Sequence, residues 1–438
     1  MTTLLQRLNP ARAFNGLWRN RDFVRLWSSL TITHFGGQVT FLALPLTAAL
    51  LLDATPFEMG VLTALEALPF PLFGLLAGVM VDRAPKLPII VWSDIARGAA
   101  LLAVPLCAWV GVLSMPVLYV VGFLIGLGTV MGWPAYQVFM TERVGRENLV
   151  EANAKIGISD SAAQLIGPGI AGALIQWLTA PFAILLDALS FFLSAWILRG
   201  IPSGASDAPK MRATGIGAEI REGLAAIWRN ATLRSLAWAI AVWQVFRHAY
   251  IAIVVLFAAR ELGFSAGHVG ALWMLAGIGS LGATAAVDPL NRRLGFGPTM
   301  LLGMLGTGVA WLLIAVASGG EVMASIVFGF GLLVLDFSGM VFFINYLTLR
   351  QAVTPDALLG RVTATMICLT VATAPLGGLA GGWIAEHAGL RATMLVAGVG
   401  AMALVLAVAW ASPLLRVRSL AEAQAPRLTE SVAEELAG

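Results

Sequence analysis

Apolar runs of about 20 residues, separated by short polar breaks, follow one another along almost the whole chain. About 20 residues is what a helix needs to cross the hydrocarbon core of a bilayer. The runs do not switch polarity at every second residue, as the strands of a membrane barrel would. They predict twelve membrane helices over 26–51, 58–81, 88–110, 116–138, 156–178, 181–199, 234–259, 268–290, 298–317, 322–346, 362–385 and 391–411.

The basic residues fix an orientation. With both termini in the cytoplasm, only Arg260 and Arg391 of the 27 Lys and Arg lie at outer ends. Arg97 and Arg247 fall within spans, and the rest face inward, as the positive-inside rule requires. Composition agrees with a polytopic protein: 59% of the residues are hydrophobic and only 12% charged, too few charges to cover a soluble protein of 438 residues. Cys107 and Cys368 lie far apart in apolar runs and read as buried thiols. The first span is too long for a signal-peptide core.

Five parts follow: a cytoplasmic segment 1–25, six spans over 26–199, a cytoplasmic linker 200–233, six spans over 234–411, and a polar, poorly ordered tail 412–438. In the linker, Ile216, Ile220, Leu224 and Trp228 recur every four residues, which predicts a short amphipathic helix against the inner leaflet or the bundle. The halves match weakly in sequence. "TPFEMGVL" and "SAGHVGAL" place Gly60 and Gly270 210 residues apart, and "GIAG" (169–172) and "GLAG" (378–381) lie 209 apart.

The loop after the second run, "GVMVDRAPKLP", carries Gly78, Asp82, Arg83 and Lys86. It resembles the signature loop of the major facilitator superfamily. The resemblance implies an all-α membrane protein of twelve transmembrane helices in two pseudo-symmetric six-helix bundles, and a loop that gates the cytoplasmic side. Gly74 and Gly78, four apart, would let another helix approach closely. The corresponding loop of the second half, "DPLNRRLG", is degenerate. "FVRLWSSLTITHFGGQVTFLALPL", "SDIARG", "ENLVEANA" and "TPDALLGRV" resemble the branch of enterobactin exporters and macrolide efflux proteins. Where many members of that branch have Gly-Asp in the first span, this chain has Gly37-Gln38.

Charged groups near the bilayer centre cost roughly 2.5–3.5 kcal/mol each on insertion scales, so they are functional candidates. Glu66, Asp187 and Asp336 are the proton-coupling candidates. Glu66 has no basic neighbour in its own span, and Arg247 is a counter-charge for it or a holder of anionic substrate. Asp94 and Arg97, three apart on one helix face, join the cytoplasmic gate set, paired with each other or with the signature loop. Asp160 is a gate or capping residue near the inner surface. His34, Gln38, Thr40, Tyr136, Gln137, Trp243, Gln244, Arg247 and Phe343 are the cavity candidates. Phe246, Trp273, Phe342 and Tyr346 would add apolar contacts.

The fifth run holds "AAQLIGPGIAG", which resembles the exporter-associated motif of the superfamily through Ala163, Gly167, Pro168, Ala171 and Gly172. Ala163, Gly167 and Ala171 make one smooth ridge, and the resemblance implies a partner helix from the other half. Pro168 kinks the span. No nucleotide loop, metal-ligand cluster or nucleophile motif stands out, so the chain reads as neither an enzyme nor a nucleic-acid binder, with no cofactor or metal. The expected protein is a monomeric exporter of small amphipathic molecules in a bacterial cytoplasmic (inner) membrane, driven by the proton gradient. A siderophore exporter, an importer and a lipid transporter are the alternatives.

Overall fold

The computed structural model describes residues 16–202, 216–355, 358–420 and 422, the side chains of 75, 79, 82, 146 and 216–220 excepted. Its helices are α1 (Arg21–Leu46), α2 (Pro56–Ala67), α3 (Pro69–Arg83), α4 (Lys86–Val110), α5 (Met115–Val144), α6 (Leu149–Leu178) and α7 (Ala180–Arg199) in the first half. The linker contributes α8 (Ile216–Arg229). The second half has α9 (Ala231–Arg260), α10 (Ala266–Leu294), α11 (Phe296–Ala315), α12 (Glu321–Val353), α13 (Leu359–Ala372), α14 (Ala374–Ala388) and α15 (Leu390–Ala411).

Local chemistry sets the boundaries. Asn20 accepts hydrogen bonds from the amides of Asp22 and Phe23 and starts α1. Thr55 and Glu58 form a reciprocal capping box at α2. Pro69 and Pro71 cannot donate to the carbonyls of Leu65 and Ala67, so the second span breaks into α2 and α3. The eleventh breaks likewise before Pro375, into α13 and α14.

Among the described residues, eleven helical segments are long and apolar enough to cross a membrane. Of the twelve expected spans, α6 is the one outside this set. Glu151, Lys155, Asp160 and Gln164 load its first half with polar groups, although it is 30 residues long and packs along α1 and α10.

The halves have matching cores. In the first, α1 packs on α6 and α7, and α4 on α5 and α7; in the second, α12 packs on α10 and α11, and α15 on α9 and α11. They meet along α2 with α14, and α6 with α10. One end of the bundle carries the first and last described residues and the linker helix α8. The opposite end is shut by contacts between the halves. Arg260 Nη2 reaches Asp53 Oδ1 at 3.1 Å and donates to the Ala49 carbonyl at 2.8 Å. Phe57 N donates to Glu386 Oε2 (3.1 Å), and Gly267 N to Gln176 Oε1 (3.3 Å).

The linker forms the expected short helix against the bundle, but its buried face is not the expected one. Gly223 and Ile227 are its buried face, against α13, while Leu224 and Trp228 are exposed. The side chains of Ile216 and Ile220 lie outside the described residues. Glu222 pairs with Arg361 of α13. The start of the tail is ordered, not loose: Pro413–Arg416 forms a 3-10 turn, Leu414 and Val417 are buried, and Val417 O accepts from Gly297 N at 3.0 Å.

Candidate substrate cavity

Between the halves lies a cavity of about 1010 Å³, lined by four carboxyl groups (Glu66, Asp94, Asp187, Asp336) and two guanidinium groups (Arg97, Arg247) among many apolar side chains. Glu66 occupies the last turn of α2, directly before the proline break. Its backbone carbonyl nests against Gly126 of α5, and a Cβ on Gly122 would lie 3.0 Å from its Cγ. Among the described residues it makes no ion pair and no hydrogen bond.

The other first-half acids are tied into the wall. Asp187 is buried on α7 and accepts from Thr40 of α1 and, at 3.0 Å, from Ser190 Oγ. Gly36 makes room for this cluster, since a Cβ there would overlap Asp187 and Ser190. Asp94 pairs with Arg97, one turn along α4, and accepts from Ser194 Oγ at 2.5 Å. Ser194 Oγ in turn lies 2.6 Å from Ser29 Oγ. Arg97 sits 4.3 Å over the ring of Phe191. His34 Nδ1 lies 3.2 Å from Asp160 Oδ1, joining α1 to α6.

The second-half wall is aromatic. Trp243 donates from Nε1 to Thr307 Oγ1 at 3.1 Å and packs against Trp311 and Phe342. Arg247 lies one turn on, 5.7 Å from the Trp243 ring centre. Its electrostatic partner is Asp336 of α12, without direct ion-pair contact. Of the two roles expected of Arg247, counter-charge to Glu66 or holder of an anionic substrate, the structure brings no Glu66–Arg247 ion pair together among the described residues, and the acid that Arg247 senses is Asp336.

A family model described as Major Facilitator Superfamily matches residues 26–372. The chain belongs to that superfamily. Among its relatives, an uncharacterized transporter, y4rN, of Sinorhizobium fredii is 28% identical over 379 residues, covering 84% of this chain and 89% of that one. The multidrug efflux pump Tap of Mycolicibacterium fortuitum is 27% identical over 386 residues, covering 84% and 90%. In fold the chain is similar to the nucleoside transporter NupG (TM-score 0.72, 11% identity, 90% and 98% covered). A bacterial homologue of the iron transporter ferroportin, in an inward-facing state, is also similar (TM-score 0.70, 17% identity, 89% and 99% covered). The protein is a secondary transporter of small molecules in a membrane and not an enzyme.

In this facilitator the cavity candidates His34, Gln38, Thr40, Tyr136, Trp243, Gln244, Arg247 and Phe343 all line the cavity, as does Trp273. Gln137 does not. It is one residue, about 100° of helix, past Tyr136, and points outward. Phe342 and Tyr346 are buried behind the wall, and Phe246 packs on Gly400.

Of the gate set, Gly78 and Arg83 are exposed, Lys86 is buried at the start of α4, and the Asp82 side chain lies outside the described residues. Gly74 and Gly78 do not mediate close packing, since an added Cβ would meet nothing within 4 Å at either. Asp94 and Arg97 belong to the cavity wall, two turns or more from the loop. Asp160 caps nothing: it lies eleven residues inside α6, paired to His34.

The motif of the fifth span divides its work. Gly167 faces its own half, where a Cβ would lie 2.9 Å from Gln38 Cβ. The face turned to α10 is a neighbouring one, through Leu165, Pro168, Gly169 and Gly172 against Gly277, Gly270 and Met274. The ridge of Ala163, Gly167 and Ala171 is therefore not the surface between the halves.

Sequence reasoning passed over Ser190 and Ser194. Their signal was there: Asp187, Ser190 and Ser194 are spaced by three and four, one polar stripe in an otherwise apolar helix. Ser29, Thr307, Tyr250 and Trp311 carried no such pattern.

Proposed function

We propose that this transporter exports small amphipathic organic molecules by proton antiport. The observation that carries the reading is Glu66, an unpartnered carboxyl group at a helix break, facing a cavity large enough for a drug-sized molecule. An acid with no cation to hold it charged can take up and release a proton as its surroundings change. The similarity to the pump Tap, named for multidrug efflux, supports export.

The proton-coupling role goes to Glu66 first, with Asp336 second. Asp187, held by two hydroxyl donors, is a wall residue whose coupling role is the weaker proposal. The end carrying the termini is cytoplasmic, in a bacterial cytoplasmic membrane. The cavity is then shut on the outside by Asp53–Arg260 and its neighbours, and the cycle is a rocking of residues 26–199 against 234–411 about the contacts of α2 with α14 and α6 with α10. The monomer is the working unit.

Siderophore export is the second reading, favoured by the four stretches that resemble the enterobactin exporter branch. The test is flux in proteoliposomes. Export of ethidium should follow an imposed pH gradient in the wild type and lose that dependence in Glu66→Gln. Unchanged gradient-driven flux in Glu66→Gln would remove Glu66 from the mechanism.

A further inference from the structure

The second-half wall holds two opposite charges that do not touch. Arg247 on α9 and Asp336 on α12 line the same cavity and interact through space, yet make no ion pair. Among the described residues Asp336 has no hydrogen-bond partner, and the Arg247 guanidinium contacts only the ring of Trp243. In a cavity poorer in water than the bulk, such charges attract strongly and close into a pair unless their helices hold them apart. Beside them the hydroxyl of Tyr250, a side chain only 5% exposed, also lacks a partner among the described residues. An unpaired buried donor is destabilising. Three neighbouring groups on one wall are thus left incomplete together.

Water, a cation or an anion would each satisfy part of this set. A cation would satisfy Asp336 and be repelled by Arg247; an anion would do the reverse. The geometry points to a zwitterion-binding subsite. A substrate head group carrying a basic nitrogen and an acidic oxygen inserts between Arg247 and Asp336 and makes two ion pairs where there were none, with Tyr250 as a further donor to the oxygen. The Trp243 ring beside Arg247 and the exposed Phe343 ring supply the surface for an aromatic body. This rests on the reading above that the cavity carries amphipathic molecules, and it names their charge type.

The test uses three matched probes on the purified full-length protein at constant pH, with no membrane and no gradient, so that binding is separate from coupling. They are a zwitterionic fluoroquinolone with a free piperazine amine, its ester (a cation) and its N-acyl derivative (an anion). By calorimetry the wild type should bind the zwitterion about tenfold or more tightly than either derivative, since charge-assisted hydrogen bonds are worth about 1.5–3 kcal/mol. Arg247→Gln should abolish the preference over the cation, Asp336→Asn the preference over the anion, and Arg247→Lys should keep much of both. Equal binding of all three probes, or equal loss of all three in both variants, overturns the subsite. So does a wild type that binds none of them while ethidium is still exported, an outcome that leaves the transport reading standing. Absence of ethidium flux as well would remove both.

Discussion

Gly60 of α2 rests on Gly382 of α14: a Cβ added to Gly60 would lie 2.9 Å from Gly382 Cα. Moving 210 residues along both partners gives the same contact again, Gly270 on Gly172, where the added Cβ would lie 2.8 Å from Gly172 Cα. The carbonyl one turn earlier closes each contact, from Gly378 in one and Pro168 in the other. The two seams between the halves are therefore one seam repeated, with Gly172 equivalent to Gly382. The offset of 209 read from "GIAG" and "GLAG" is one residue short.

Because backbone faces backbone at these glycines, a methyl group cannot be absorbed by a rotamer change. Gly60→Ala and Gly270→Ala should each lower the thermal midpoint in detergent by a similar amount, equivalent to about 1–3 kcal/mol of overpacking. Gly74→Ala, with nothing within 4 Å, is the control and should leave the midpoint unchanged or raise it. A tolerated Gly60→Ala would mean that the seam is looser than its geometry.

The outer latch should be small in energy and unequal in its parts. Asp53 is almost wholly exposed at its side chain (97%), so its pairing with Arg260 is worth under about 1 kcal/mol. Arg260 also bonds the Ala49 carbonyl. Unfolding midpoints should therefore fall more in Arg260→Gln than in Asp53→Asn. Equal effects would show that the carbonyl contact contributes nothing.

Glu66 and Asp187 should separate cleanly. Glu66→Gln removes a group with no partner, so it should preserve stability and substrate exchange at equal pH while losing gradient-driven flux. Asp187→Asn disturbs two hydroxyl bonds in a buried cluster and should lower the thermal midpoint, equivalent to a loss of about 1–3 kcal/mol of stability. If Asp187→Asn is as stable as wild type but uncoupled, the two roles are reversed.

Arg97 and Asp94 form a buried pair, and halves of such pairs are costly to leave behind. Arg97→Gln should destabilise by about 3–5 kcal/mol, and the double variant Asp94→Asn, Arg97→Gln by less than Arg97→Gln alone. Chemical denaturation of the four proteins closes the cycle. Additive effects would show that Ser194 alone satisfies Asp94.

Much of this was legible because the bilayer imposes a coarse rule. Run length and basic asymmetry marked the spans, even though α6 is too polar to pass on composition alone. Arg260 and Arg391, the two exceptions to the inward bias, prove to be tied down at the shut end, to Asp53 and to Glu261 (2.8 Å). The cavity candidates were mostly recovered because polar residues inside spans are few. What stayed hidden depends on helix rotation and on partners distant in sequence. Gln137 differs from Tyr136 by one residue, Gly167 from Pro168 by another, and each step turns a side chain about 100°. Nothing local reveals that Arg247 looks to Asp336, or that the linker helix turns Gly223 inward and Trp228 out.

The ordered start of the tail bears on where the chain can be cut. A protein ending at Ala411 would leave the amide of Gly297 without its acceptor and uncover the pocket filled by Leu414, at the first turn of α11. One ending after Leu420 keeps both. A cut that spares Glu422 also keeps the bonds from the amides of Arg418 and Ser419 to its carboxylate, whereas limited proteolysis reaching Ser412 should release a protein that precipitates on warming, well before the intact chain does.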